Sequence, residues 1–308
     1  MGKRIVVVGS INLDLVARSP KIPSPGETVS GTDFRTFFGG KGANQAVAVA
    51  KLGHPVTMIG RVGEDAFGAQ LIDGLRAAGV RTDCVMKSFG SSGVALIVTD
   101  KSGENSIVVV PGANGELLPA DLERNDGLLA EAGMILSQLE VPLETVEYLA
   151  DRAAAHRVPL MLDPAPAQLL PRSIYPKVEW LTPNETEARI LCNGRGDADG
   201  TDGDVVHRFL SLGVKHVILK QGARGVFVKD GLVEGQRISG YAVDAIDTTA
   251  AGDAFNGGFA VAMMTGKSPL ESAQFANAVA AISVTRAGAQ TSMPTLAEVE
   301  AFLRVRSH

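Results

Sequence analysis

Cysteine is nearly missing from this sequence. Cys84 and Cys192 are the only two and show no pairing pattern, so neither a disulfide framework nor a cysteine zinc site is expected. The five histidines, His54, His156, His207, His216 and His308, have no metal-ligand spacing either. No apolar run approaches a membrane span of roughly 18 residues, and no cluster of Lys and Arg offers the basic footprint of a nucleic-acid binder. With a formal net charge of -5, the chain does not attract an anionic substrate globally, so such a substrate needs a local positive site. The first apolar run, Ile5–Val8, is too short for a signal-peptide core and reads as a strand. These absences lead to the expectation of a cytoplasmic protein with no membrane or nucleic-acid partner.

Short apolar runs then alternate with Ala-rich helical stretches. The runs are Ile5–Val8, Val56–Gly60, Met134–Ser137, Pro159–Leu162, Trp180–Thr182 and Val217–Lys220; the helical stretches are Asn44–Leu52, Ala66–Ala78, Leu143–His156 and Glu185–Cys192. The alternation predicts an α/β fold with a mostly parallel sheet, helices on both faces, and a helical C-terminal third. Two regions break the rhythm. Residues 13–38 carry Pro20, Pro23, Pro25 and Gly26 before a polar–apolar alternation, and 93–110 reads as a hairpin turning at Asp100–Gly103. Both look antiparallel and are expected to combine into a small sheet that covers a cleft. That gives a core of 1–11, 41–92 and 112–308 and a discontinuous lid of 12–40 and 93–111.

Polar residues follow most of the strand-like runs: Asn12 and Asp14, Gln138 and Glu140, Asp163, Asn184 and Glu187, and Lys220. In open α/β sheets these ends form the ligand crevice. The sharpest local signal is Asp247-Thr-Thr-Ala-Ala-Gly-Asp253, where a helix starting near Ala250 opens with small residues. Its bare N–H groups suit an anion. An acid in a first helical turn is ordinary, yet a carboxylate beside a phosphate site makes sense as the base for an attacking hydroxyl. Gly39-Gly-Lys-Gly-Ala-Asn44 resembles a phosphate loop but lacks the Walker A glycine and hydroxyl, because Arg35 stands at the first glycine position and no Ser or Thr follows Lys41. It reads either as a glycine-rich turn or as a backbone surface against a polyol. Lys220-Gln-Gly-Ala-Arg-Gly225 reads first as a turn between strands. The Gly194–Gly203 stretch is rich in Gly and Asp but lacks calcium-loop spacing, and reads as a solvated loop. There is no nucleophile elbow, no His-Arg-Asp loop and no dinucleotide-binding glycine fingerprint after a strand.

Together these motifs resemble the ribokinase-like branch of the phosphofructokinase-B-type carbohydrate kinases, from Gly9 to Pro294. The resemblance rests on the Gly39–Gly53 and Asp247–Asn256 segments, supported by Asn12-Leu-Asp14, Gln138-Leu-Glu140, Asn184-Glu-Thr-Glu187 and Thr285–Ser292. It implies a three-layer α/β/α domain with a β-sheet lid, and ATP-dependent phosphorylation of D-ribose at its 5-hydroxyl. The alternatives are a family member acting on 2-deoxyribose, fructose or a nucleoside, or a non-catalytic sugar sensor. It implies Asp253 as base, with Ala250, Ala251 and Gly252 as an anion hole. Asn12, Asp14, Gly40, Lys41, Gly42, Asn44 and Glu140 would hold the sugar. Asn184, Lys220, Gly222, Ala223, Arg224, Gly225, Gly252 and Asn277 would meet ATP, and Glu187 would act on Mg²⁺ through water. A monovalent cation, K⁺ by family habit, would sit at Asp247, Thr249, Ser283, Arg286, Gly288 and Ser292, mostly on carbonyls. Thr249 stands where the family often has Ile or Val, which a carbonyl ligand tolerates. Pairing through the lid strands would give a homodimer.

Overall fold

The computed structural model describes residues 3–193, 201–230 and 235–306. The chain begins with β1 (Ile5–Val8), β2 (Asn12–Arg18), β3 (Asp33–Gly39), α1 (Lys41–Lys51), β4 (Val56–Gly63), α2 (Ala66–Ala77) and β5 (Arg81–Ser88). It continues through β6 (Gly93–Thr99), β7 (Asn105–Val110), α3 (Pro119–Glu123), α4 (Asp126–Glu131), β8 (Met134–Ser137), α5 (Leu143–His156), β9 (Leu160–Leu162) and β10 (Trp180–Leu181). Then come α6 (Glu185–Asn193), α7 (Asp202–Ser211), β11 (His216–Lys220), β12 (Val226–Asp230), β13 (Gln236–Ile238), α8 (Ala251–Met264), α9 (Pro269–Ser283) and α10 (Leu296–Arg306).

Unbroken apolar strands have to be covered on both faces, and β1 is. Ile5 and Val7 join one apolar layer with α1, α2, α8 and α9, while Val6 and Val8 join a second with α3 to α7. The sheet between the layers has nine strands in the order β13-β12-β11-β10-β9-β8-β1-β4-β5. It is parallel from β11 to β5 and closes with antiparallel β12 and β13 at one edge. Helix signals in the sequence act as expected. In α5, Val146, Leu149, Ala150 and Ala153 recur on one buried stripe, and the helix stops at left-handed Arg157. Ser268 and Glu271 form a capping box around Pro269 at the start of α9.

The small sheet has the order β3-β2-β6-β7. The hairpin predicted for 93–110 is antiparallel, as is the pair β2–β3, but their junction is not: β2 and β6 pair in parallel, from Asn12↔Gly93 to Arg18↔Thr99. Both strands leave the main body at the same level and run outward together. Asn114 clamps that exit point. It accepts from the Ile11 amide at 2.9 Å and donates to the Asn12 Oδ1 at 2.6 Å. A Cβ on Gly93 would fall 2.1 Å from the Asn114 Nδ2, so only glycine fits there.

Other boundaries moved. The first helix begins at Lys41 rather than Asn44. The strand reading missed β5, whose alternating pattern follows from its edge position, and the short β13; β12 follows the turn read at 220–225. The Gly194–Gly203 loop reading lies mostly outside the described residues, which resume at position 201; there Thr201 and Asp204 cap α7.

Phe259 sits at the centre of the first layer, fully buried, 4.8 Å from the Trp180 ring and 6.2 Å from the Phe255 ring. Phe259→Ala should cost about 3–5 kcal/mol in urea unfolding, and Phe259→Leu clearly less. An alanine cost below about 1 kcal/mol would mean that this layer repacks freely.

Candidate active site

Five neighbouring strands, β11, β10, β9, β8 and β1, end at one rim, and each contributes polar groups just beyond its last residue. Lys220 closes β11, Asn184 bridges to it after β10, Asp163 follows β9, Gln138 and Glu140 follow β8, and Ser10 and Asn12 follow β1. The start of α8 faces the same rim. Ala250 caps that helix in a left-handed conformation, at φ 59°. The Ala251 amide donates to the Thr248 carbonyl at 3.2 Å, whereas the Gly252 and Asp253 amides donate to no acceptor among the described residues. A side chain on Gly252 would meet the Lys220 ammonium, whose Nζ would lie 3.2 Å from its Cβ. Two bare amides and an ammonium thus converge on one spot, which is a place for an anion.

Asp253 is buried beside that spot. Its Oδ2 accepts from the Asn44 Nδ2 at 3.0 Å and its Oδ1 from the Gln45 Nε2 at 3.1 Å. Burial pushes its pKa up to about 6; the Asp163 charge adds to the rise, and Lys41, Asn44 and Gln45 oppose it. Asp14 is pushed up to about 7, first by burial and then by Glu140 and Asp253. The Glu140 Oε2 accepts from the Lys41 amide at 3.0 Å and from the Ser10 hydroxyl. Burial alone would lower the Lys41 pKa, but Asp253, Asp163, Glu140 and Glu187 surround its ammonium and raise it instead.

The glycine-rich turn is pressed first against the chain itself. Gly40 sits at φ 86°, where a Cβ would come within 2.7 Å of the Asn12 amide, and a Cβ on Gly42 would come equally close to the Ser10 amide. Both glycines therefore let α1 start directly against the β1–β2 connection, which brings Lys41, Asn44 and Gln45 to the rim.

The remaining predicted residues form two further groups. Asn184 and Glu187 cap α6 reciprocally, with the Asn184 amide donating to the Glu187 Oε2 at 2.7 Å and the Glu187 amide to the Asn184 Oδ1 at 2.8 Å. Burial still raises the Glu187 pKa, against the pull of Lys220. Gly222, Ala223 and Arg224 form one 3-10 turn ahead of Gly225 (φ 90°), and Arg224 pairs with Glu185. Asn277 donates to the carbonyls of Ile238 and Ser239, at 3.2 and 3.1 Å, fixing the segment after β13. The Asp247 carboxylate accepts from the amides of Thr249 at 2.9 Å and Gly288 at 2.8 Å, tying the approach to α8 to the loop after α9. Ser283 and Ser292 hydroxyls are held by local carbonyls, and the Arg286 side chain turns away to Glu298. Gln45, which touches Asp253 directly, was missed in the sequence; its only signal was its place next to Asn44 on the first turn of α1.

Comparison with known proteins gives a consistent result. Residues 2–296 match the pfkB family carbohydrate kinase profile. A ribokinase of Haemophilus influenzae is 41% identical over 305 residues, covering 98% of this chain and 99% of its own. A deoxyribokinase of Salmonella typhi is 36% identical, covering 97% of this chain and 98% of its own. A ribokinase of Arabidopsis thaliana, solved in complex with ribose and ATP, superposes with a TM-score of 0.91 at 35% identity over 99% of each chain.

The raised Asp253 pKa makes a stability prediction. The proton-bound carboxyl favours the fold fully below the unfolded value of 3.8, and that contribution is lost as pH rises through about 6. Asp253→Asn should therefore be more stable than the wild type above neutral pH, by about 1–3 kcal/mol, the lower figure reflecting the partner that Lys41 loses. Thermal melts of both proteins across the acid range should converge as the carboxyl protonates. A constant difference at every pH would contradict the burial-raised pKa.

Proposed function

The chain belongs to the pfkB family of carbohydrate kinases, and from that premise we propose that it transfers the γ-phosphoryl group of ATP to the 5-hydroxyl of D-ribose, giving ribose 5-phosphate and ADP. The observation that carries the reading is the buried Asp253 carboxylate beside two amides that open α8 and have no acceptor among the described residues. A carboxylate whose pKa is pushed up to about 6 remains ionised at neutral pH yet has useful basicity. It accepts the proton as the hydroxyl oxygen bonds to phosphorus and the bond to the ADP oxygen breaks. The Gly252 and Asp253 amides and the Lys220 ammonium take up charge on the transferred group. Asn12, Asp14, Glu140, Lys41 and Asn44 line the sugar side, with the glycines of 40–42 supporting them. On the nucleotide side stand Asn184, the turn from Lys220 to Gly225, and Asn277.

The residues also suit the two cations this chemistry employs. Glu187 is a half-buried carboxylate with raised pKa, the kind of group that a water-shelled Mg²⁺ compensates. Mg²⁺ would supply charge neutralisation on the phosphates. Asp247, braced between two loops, supports a K⁺ site whose other donors would come from Thr249, Ser283, Arg286, Gly288 and Ser292. The low cysteine count, two in the whole chain, suits a reducing, cytoplasmic setting. Leu96 and the run from Ile107 to Val110 lie exposed on the small sheet, with β7 as an unpaired edge, and a second copy of the chain is the cover we propose.

A coupled assay should detect ADP release that requires D-ribose and Mg²⁺ and rises with K⁺; absence of sugar-dependent ADP would sink the reading. Asp253→Asn should cut turnover by at least about 100-fold while ribose still binds calorimetrically. The deoxyribokinase relative favours 2-deoxyribose as the second candidate substrate, and the two sugars are separated by kcat/KM measured side by side. Val108→Lys should convert the sedimenting species from dimer to monomer; a monomeric wild type would remove the pairing proposal.

A further inference from the structure

Gln45 is almost fully buried and its amide nitrogen is shared between two carboxylates, 3.1 Å from the Asp253 Oδ1 and 3.2 Å from the Asp163 Oδ2. Its orientation is fixed from behind, because the Gln138 Nε2 donates to its Oε1 at 2.7 Å. Asp163, itself buried, accepts from the Lys220 ammonium at 2.9 Å through its other oxygen. A continuous chain therefore runs Gln138, Gln45, then Asp253 on one branch and Asp163 with Lys220 on the other. Buried polar groups at this density either specify one arrangement or are costly. Here each Asp253 oxygen receives one donor, Gln45 on Oδ1 and Asn44 on Oδ2, which leaves it a remaining acceptor site for a substrate proton.

We propose that Gln45 and Asp163 are positioning residues for phosphoryl transfer: the Gln45 amide holds the Asp253 carboxylate in its working orientation, and Asp163 holds that amide from the other side while keeping Lys220 at the start of α8. This rests on the reading of Asp253 as the base. The two residues act on Asp253 in opposite senses. The Gln45 hydrogen bond favours its ionised form, and the nearby Asp163 charge disfavours it. The other charged groups facing Asp253 are Lys41 from α1, Asp14 from β2 and Lys220 at the end of β11, and the variants below substitute none of the three.

The test is the pH profile of kcat/KM for ribose at saturating ATP and Mg²⁺. Gln45→Met, which keeps the volume and removes the donor, should move the acid limb up by about one pH unit. Asp163→Asn should move it down by about one unit. A lesion that only loosens the fold lowers the melting temperature in both variants but does not send the limbs in opposite directions. If Gln45→Met fails to fold, Gln138→Met frees the amide from behind and should shift the limb in the same upward sense. Limbs that stay put, or move together, overturn the proposal. If Asp253→Asn turns over like the wild type, the base reading itself is lost; if that variant is inactive while the limbs stay put, only the positioning roles are lost.

Discussion

The ammonium of Lys41 stands among the carboxylates of Asp253, Asp163, Glu140 and Glu187, and the site depends on that balance. These acids come from four separate segments that meet at one rim. Without a buried cation their mutual repulsion would favour protonation or separation. With it, the rise that burial imposes on the Asp253 carboxyl is opposed, while Asp14 at the edge of the cluster is pushed up to about 7. The lysine reaches this place because α1 starts directly against the β1–β2 connection, which only glycine at positions 40 and 42 allows. A backbone constraint thus sets an electrostatic one.

Much of the architecture could be read from the chain. β1 is apolar at every position because it is covered on both faces, so its pattern announced a central parallel strand. The rim was legible for the same reason, since polar residues just past such strands have a shared destination. β5 was not legible, because an edge strand with a half-exposed pattern resembles a loop in composition. The parallel join of β2 to β6 was also hidden: pairing of strands about 80 residues apart in sequence leaves no local periodicity.

The site residues divide along the same line. Asp253 and the small residues before it carry their meaning locally, in the first turn of a helix. Asn184 and Glu187 are legible locally too, but as a helix cap, and their reciprocal bonds show that this local role is real. Gln45 is the opposite case. A glutamine within an Ala-rich helix reads as a surface residue, and only the tertiary fold buries it between Asp163 and Asp253, neither of which is near it in sequence.

At Asn114, the chain's passages between the two sheets meet: β2 leaves beside it, β6 leaves against it, and β7 returns just before it. Asn12 is part of the joint, bonded to Asn114, and it also stands at the rim just past β1. The side chain that joins the small sheet to the main body thus belongs to the rim as well, so the seating of that sheet and the shape of the rim beside β1 are set by one hydrogen bond.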